Sequence, residues 1–430
     1  MILNIPLIKV RLFYRASAAI KFPVYTGSIF RGAFGIKLRE PFCQTMDMKC
    51  SGCSRIDSCA YAKVFEGARV FGSGSAEAVS VDIPNPYIIE PLKLGKHAFK
   101  KGDIFSIDVI LFGNAVYEIQ HVVMAFINAG YTGFTDALIR ADLVKVCQVE
   151  NNNLKLIFTR DSDENVLPPS FVYQLNYEYG YQKCRVVMQT PLKITFKKKT
   201  VKPLELTPKL FLGSIIRRIR NLLANYIDEI KNSDSAILNS YRPDSVNFRL
   251  YSGNAHLSAI DTAINNSDLN DDNLTAHTTD SFENNNRNHI QQSCQSDICS
   301  LVHDTEDVSM QIPDSQHEEE EQSYKDVMNR TREELNKLPE WAVPFFRDGI
   351  YDLENFYEQV TITHRDLRWF DWERFSSRQN KRIPLGGIMG NFILDGNLEP
   401  FILFLCLGEL LHAGKSSVLG FGKYRLEWLK

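Results

Sequence analysis

The sequence predicts an α+β fold of two tandem βαββαβ units, with a long disordered acidic insertion in the second. Three observations predict it. Apolar periodicity switches between strand and helix spacing in the order strand, helix, strand, strand, helix, strand. The same order recurs in the second half of the chain. One stretch, 252–332, loses its apolar residues and gains negative charge.

Residues 4–14 are an apolar first strand, and Gly27–Arg39 follows as a helix with Ile29, Phe30, Phe34 and Leu38 on one face. Residues 87–92 and 104–112 read as strands, Tyr117–Asn128 as a helix and 138–149 as a closing strand. In the second unit 184–197 is a strand and Pro208–Ile230 a long helix, with Arg217, Arg218 and Arg220 near one exposed side. Residues 358–371 and 383–394 are two more strands. Pro400 suits a helix start and Gly414 its stop, before a last strand at 421–428. Two such units make the ferredoxin-like, RRM-like arrangement.

A chain of 430 residues suits two or three domains of roughly 100–200 residues each. The expected division is 1–155, then 156–251 together with 333–430, interrupted by the insertion 252–332. Low hydrophobicity with high net charge cannot offset chain entropy, so the insertion is expected to be disordered. Its scattered Cys294, Cys299, His289 and His303 are read as residues of a flexible segment, not as a metal site.

The formal net charge of −3 is misleading. Residues 251–330 hold sixteen acidic side chains and only three basic ones, a net −13, so the rest of the chain is +10. A basic body is compatible with a phosphate-rich partner, because neutralising phosphates releases counterions. There is no secretory leader pattern and no apolar run of about 18 residues, so a cytoplasmic protein without a membrane span is expected. Nine cysteines in such a compartment are not expected to form disulfides.

Four segments carry chemistry. Cys43, Cys50, Cys53 and Cys59 are spaced as a four-thiolate structural zinc site, closed and non-catalytic. Reduced unliganded thiols and an iron–sulfur cluster are the alternatives. Residues 411–423, LHAGKSSVLGFGK, form a glycine-rich loop between a helix and a strand. Its glycines would let an anion approach backbone N–H groups, although it lacks P-loop spacing. His412 and Lys415 could equally complement the helix dipole. Residues 369–382 interleave aromatics with Arg374, Arg378, Lys381 and Arg382 in an expected hairpin, suited to stacking bases and holding phosphates. The helix 27–39 carries Arg31, Lys37 and Arg39, which could also be only a solvated face.

Together these segments resemble a known family. HAGKSSVLGFGKY, with the preceding RFSSRQNKRIPLGGIMGNFILDG, resembles the C-terminal half of the CRISPR-associated precursor-RNA-processing endoribonucleases. These belong to the superfamily of repeat-associated mysterious proteins (RAMPs). GSIFRGAFGIKLRE, the cysteine cluster, CAYAKVFEG and IPNPYIIEP are similar to that family's cysteine-containing branch. The resemblance implies two ferredoxin-like domains, binding of CRISPR repeat RNA and metal-independent cleavage, with no cofactor for catalysis. It implies 2′,3′-cyclic phosphate and 5′-hydroxyl ends, and association with other CRISPR-associated proteins.

Many members carry a catalytic His just after the first helix, but residues 27–60 contain none. The expected catalytic set is therefore His412 as acid/base and Lys415 as charge stabiliser, with Tyr25 in support. The expected RNA-binding set is Arg31, Lys37, Arg39, Arg374, Arg378, Gln379, Lys381, Arg382, Gly414, Ser416, Gly420, Gly422 and Lys423. A non-catalytic RNA-binding RAMP subunit of a CRISPR effector complex is the alternative, and a zinc-stabilised RNA binder outside CRISPR a third.

Overall fold

The protein is described by a computed structural model covering residues 1–43, 50, 53–67, 83–135, 138–151, 153–160, 166–227, 353, 356–376 and 381–429. The insertion expected at 252–332 lies outside the described residues.

The first half contains β1 (Ile2–Ala16), β2 (Ile20–Phe22), α1 (Gly27–Arg39), β3 (Tyr87–Glu90), β4 (His97–Phe99), β5 (Ile104–Phe112), α2 (Ile119–Thr132), β6 (Ala141–Glu150), β7 (Asn153–Thr159) and β8 (Val172–Asn176). The second half contains β9 (Lys183–Leu192), β10 (Thr195–Phe196), β11 (Lys199–Thr200), α3 (Pro208–Tyr226), β12 (Val360–Phe370), β13 (Glu373–Ser376), β14 (Lys381–Pro384), β15 (Gly387–Gly396), α4 (Ile402–Leu411) and β16 (Tyr424–Leu429).

The two main sheets are antiparallel and ordered alike. One runs β3-β5-β1-β6-β7, with β8 added on β1; the other runs β12-β15-β9-β16. In each, the first and third strands of a βαββαβ unit are central and the second and fourth flank them. The predicted tandem α+β architecture is therefore the observed one. The first sheet extends past residue 155 through β7 and β8.

Boundaries differ where local chemistry intervenes. The second helix is preceded by a 3₁₀ segment, Gly113–Glu118, so α2 proper starts at Ile119. The strand expected over 184–197 stops at Leu192, and the chain then folds back as the small hairpin β10–β11. In α3, Pro208 occupies the first turn and the Thr207 hydroxyl accepts the Leu210 N–H at 3.3 Å, which caps the helix.

β1 serves both cores. Leu3, Ile5 and Leu7 join the core of the second half, while Ile8, Val10, Leu12 and Tyr14 join that of the first. Odd and even residues leave opposite faces of a strand, so one strand is buried on each face in turn. Against it, α1 buries Phe30, Phe34 and Leu38, and Phe34 stacks on Phe126 of α2 with centroids 4.8 Å apart. Each such ring or aliphatic side chain contributes about 1.5–3 kcal/mol on full burial.

Among the described residues no helix is long and apolar enough to cross a membrane.

Candidate functional site

The glycine-rich loop joins α4 to β16 and is tied to the end of β9. The Ala413 N–H donates to the Gly422 carbonyl at 2.9 Å, and the Gly422 N–H to the Pro191 carbonyl at 2.9 Å. The Lys415 N–H donates to the Lys193 carbonyl at 2.8 Å. The Thr190 hydroxyl donates to the Gly420 carbonyl at 2.6 Å and accepts the Lys423 N–H at 2.9 Å. Gly422 has φ +74°, and a Cβ there would lie 1.8 Å from the Ala413 carbonyl oxygen, so only glycine fits. Much of the backbone expected to meet an anion is thus committed inside the loop. At the surface of the loop Lys415 is exposed, and Gly414, Ser416, Val418 and Lys423 are half-buried.

Beneath the loop lies a buried charged knot. Glu90 ends β3 with 4% exposure, and its carboxylate takes three partners. Lys9 Nζ and Lys423 Nζ each lie 2.8 Å from its Oε2, and His412 Nε2 lies 3.1 Å from its Oε1. Lys9 also approaches Asp108 at 3.5 Å, which holds Arg11 through two contacts of 2.7 and 2.9 Å. Burial alone would raise the Glu90 carboxyl. Lys9, the hydrogen bond with His412 and Lys423 together hold it well below the usual range.

His412 is fully enclosed, with side-chain exposure of 0%. Its Nδ1 lies 3.0 Å from the Phe421 carbonyl. Burial pushes its ring below the usual imidazole range; Glu90 pulls the other way, and Lys423 and Arg218 reinforce burial. Both ring partners are acceptors, so a neutral ring donates its single N–H to one of them at a time. Arg218 caps α4 by donating from Nε to the Leu411 carbonyl at 2.8 Å, and burial lowers its guanidinium to about 10.

Tyr25 is enclosed as well. Its hydroxyl donates to the Leu419 carbonyl at 2.6 Å, and its ring packs on Trp372 and Phe421 with centroids 4.9 and 5.0 Å away. His412 and Tyr25, expected in the catalytic set, are thus both enclosed. Their contacts are internal, and what they hold is the loop carrying Lys415.

The remaining candidates are spread. Lys37 pairs with Glu40 at 2.8 Å. The Arg31 guanidinium lies 4.4 Å from the Phe65 ring centre, and that of Arg39 lies 5.6 Å from the Tyr61 ring centre. The expected hairpin forms as β13–β14, with Arg374 opposite Ile383, Phe375 opposite Arg382 and Ser376 opposite Lys381. Arg378 and Gln379 lie outside the described residues. Cys43, Cys50, Cys53 and Cys59 are unbridged and half-buried, with the Cys53 N–H donating to the Cys50 carbonyl at 3.1 Å. Among the described residues no three His, Cys, Asp or Glu side chains gather as a metal-ligating group.

Sequence reasoning missed Glu90, Lys9, Thr190 and the β10–β11 hairpin. A signal existed for two of them. A carboxylate ending the buried strand YIIE and a lysine inside IPLIKVRLF both require buried partners.

Residues 186–424 match the family model of the CRISPR-associated endoribonuclease Cas6. The chain belongs to this family. A second model, described as an N-terminal domain, matches residues 5–170. Among solved structures, a Cas6 product complex is 11% identical, with a TM-score of 0.42 and coverage of 98% of this chain and 99% of that one. Thermus thermophilus Cas6 is 10% identical, with a TM-score of 0.37 and 99% of each chain covered. A partial Cas6-RT-Cas1–Cas2 complex is 13% identical, with a TM-score of 0.38; 98% of this chain spans 46% of that one. No curated protein matches.

Proposed function

We propose that the chain binds CRISPR precursor RNA at its repeats and cleaves it to guide RNAs without a metal, leaving 2′,3′-cyclic phosphate and 5′-hydroxyl ends. The observation that carries this reading is the Cas6 family match across 186–424, which takes in the glycine-rich loop with Lys415 at its surface.

The chemistry sets the roles. A ribose 2′-hydroxyl attacks the adjacent phosphorus, a base takes its proton, and the departing 5′-oxygen gains one. Lys415 stabilises the charge that builds on the phosphorane. His412 and Tyr25 act as positioning residues, because their buried contacts fix the loop backbone on either side of Lys415. Arg31, Lys37, Arg39, Arg374, Arg378, Gln379, Lys381, Arg382, Lys423 and the exposed loop edge supply RNA contacts in this reading. Association with other CRISPR-associated proteins belongs to the same proposal.

Labelled repeat RNA incubated with the protein in EDTA tests it. A product ending in a cyclic phosphate is expected, and Lys415→Ala should slow its formation on the order of 100-fold, the scale of losing one charge-stabilising group. Tight binding with no cut product would remove the enzyme reading.

That outcome would favour the second reading, a non-catalytic RNA-binding RAMP subunit. The enclosure of His412 and Tyr25, together with the lack of His over 27–60, is the specific observation on its side.

A structural zinc held by Cys43, Cys50, Cys53 and Cys59 is a separate proposal resting on their spacing. Metal content after dialysis tests it: a ratio near zero with the fold intact would sink it.

A further inference from the structure

The second sheet ends on β12, whose outer side is unpaired among the described residues. An open edge strand presents a row of unused N–H and C=O groups to any strand that can lie beside it. The one bulge in β12 falls between Ile362 and His364. From His364 to Phe370 the strand therefore runs in unbroken register with β15, and its edge is regular over that length. His364, Arg365, Asp366 and Arg368 are all exposed there.

Two charges on this edge lack a counter-charge in their own chain. Asp366 lies opposite Asn391 of β15 and accepts the Asn391 amide at 3.2 Å, a neutral partner. Arg368 lies opposite Met389. Among the described residues neither forms an ion pair. Asp366 and Arg368 stand two positions apart, so both leave the same face of the sheet. The inner lane beside each is filled by β15, and the outer lane is open.

Symmetry then selects a partner. Two copies of one strand pair antiparallel about a two-fold axis perpendicular to the sheet, which sets residues of like parity opposite each other. An axis at Arg365, Asp366 or Arg368 puts identical charges face to face. An axis at Leu367 puts Asp366 opposite Arg368 of the second copy, twice, and His364 opposite Phe370, twice. Apolar surface lies beside the same strand. Arg365 donates to the Pro203 and Leu204 carbonyls at 3.4 and 2.8 Å, and Leu204 is 86% exposed, the highest value among the large apolar side chains described.

We infer that the chain self-associates through β12, two copies joining their four-stranded sheets edge to edge about a two-fold axis at Leu367, with two Asp366–Arg368 pairs fixing the register. Opposite charges directly across a strand pair favour it and like charges oppose it, so the same side chains that admit this register reject its neighbours. The inference goes beyond the RNA-processing reading and does not depend on it.

Sedimentation equilibrium of the full-length chain over a concentration series tests it. The parent is expected to form dimers. D366R and R368D each put like charges opposite each other at both pairs, and each should raise the dissociation constant by about tenfold or more. An equimolar mixture of D366R and R368D restores opposite charges at both pairs, so the two variants should dimerise with each other although neither does so alone. A thermal melt shows whether each variant is folded. Should a reversal unfold the chain, Asp366→Asn removes the charge and keeps the shape, and it should still weaken the dimer severalfold. A parent that stays monomeric at its highest soluble concentration overturns the inference. So does a dimer that these changes leave intact, or a mixture of the two folded reversal variants that stays monomeric. Cleavage of repeat RNA by the parent, scored separately, bears only on the RNA-processing reading.

Discussion

At the scale of single residues, the decisive group is Glu90. Its carboxylate separates two ammonium groups and meets a buried imidazole, so removing its charge leaves Lys9 with Asp108 alone, takes the carboxylate from half-exposed Lys423, and unpairs the enclosed His412 Nε2. Glu90→Gln is expected to cost about 3–5 kcal/mol, read as a lower denaturant midpoint in urea at neutral pH. The same knot sets a pH dependence. The folded His412 ring binds its proton less readily than the unfolded one, so stability is lost as pH falls below about 6.5, the unfolded imidazole value. Glu90 is depressed in the fold, so its contribution is full above the unfolded carboxylate value of about 4.3 and fades as pH drops through its folded value. Both losses lie on the acid side. Unfolding midpoints measured from about pH 7 to about pH 5, the range over which an imidazole titrates, should fall for the parent and stay flatter for His412→Asn. Equal slopes would contradict the assignment of that loss to His412.

At the scale of elements, the glycines separate by position. Gly422 has no room for a methyl, so Gly422→Ala should destabilise by roughly 1–3 kcal/mol or more, as strain at a left-handed position does. Gly32 lies exposed in the middle of α1, and a methyl added there would meet only open space, so Gly32→Ala should stabilise by about 0.5–1 kcal/mol. A pair of thermal melts checks both signs at once. The elements themselves were largely legible. Phe30, Phe34 and Leu38 at helical spacing mark α1, and IFSIDVILF marks β5 without ambiguity. The β10–β11 hairpin was not legible, because ITFKKKT reads as a continuation of the strand and contains none of the glycine or asparagine that signals a tight turn.

At the scale of the whole molecule, the two βαββαβ units meet through side chains far apart in the chain. Tyr25 reaches Leu419, and Glu90 reaches His412 and Lys423. Tyr25→Phe deletes one such link and leaves a buried carbonyl unsatisfied, which should cost about 1–3 kcal/mol and lower the unfolding midpoint of the whole chain in a single transition. A midpoint equal to the parent's would show the link to be idle. Charge acts at this scale too. The segment 251–330 carries −13 against +10 elsewhere, so replacing 252–332 by a short neutral linker should tighten RNA binding at low salt and have little effect at high salt. Unchanged affinity at about 50 mM salt, compared by fluorescence anisotropy, would count against a competing role for the acidic segment.

By itself the sequence determined the repeated strand and helix order, the basic body behind a near-neutral total, and the glycine-rich loop that carries the family resemblance. Those properties are local: periodicity, composition and spacing are written along the chain. Only the tertiary structure decided which way the candidate residues face. His412 sits in a loop full of glycine and looks accessible on paper, yet Glu90, 322 positions away, closes over it. Burial and partnership are properties of pairs distant in sequence, and a linear pattern records neither until the chain has folded.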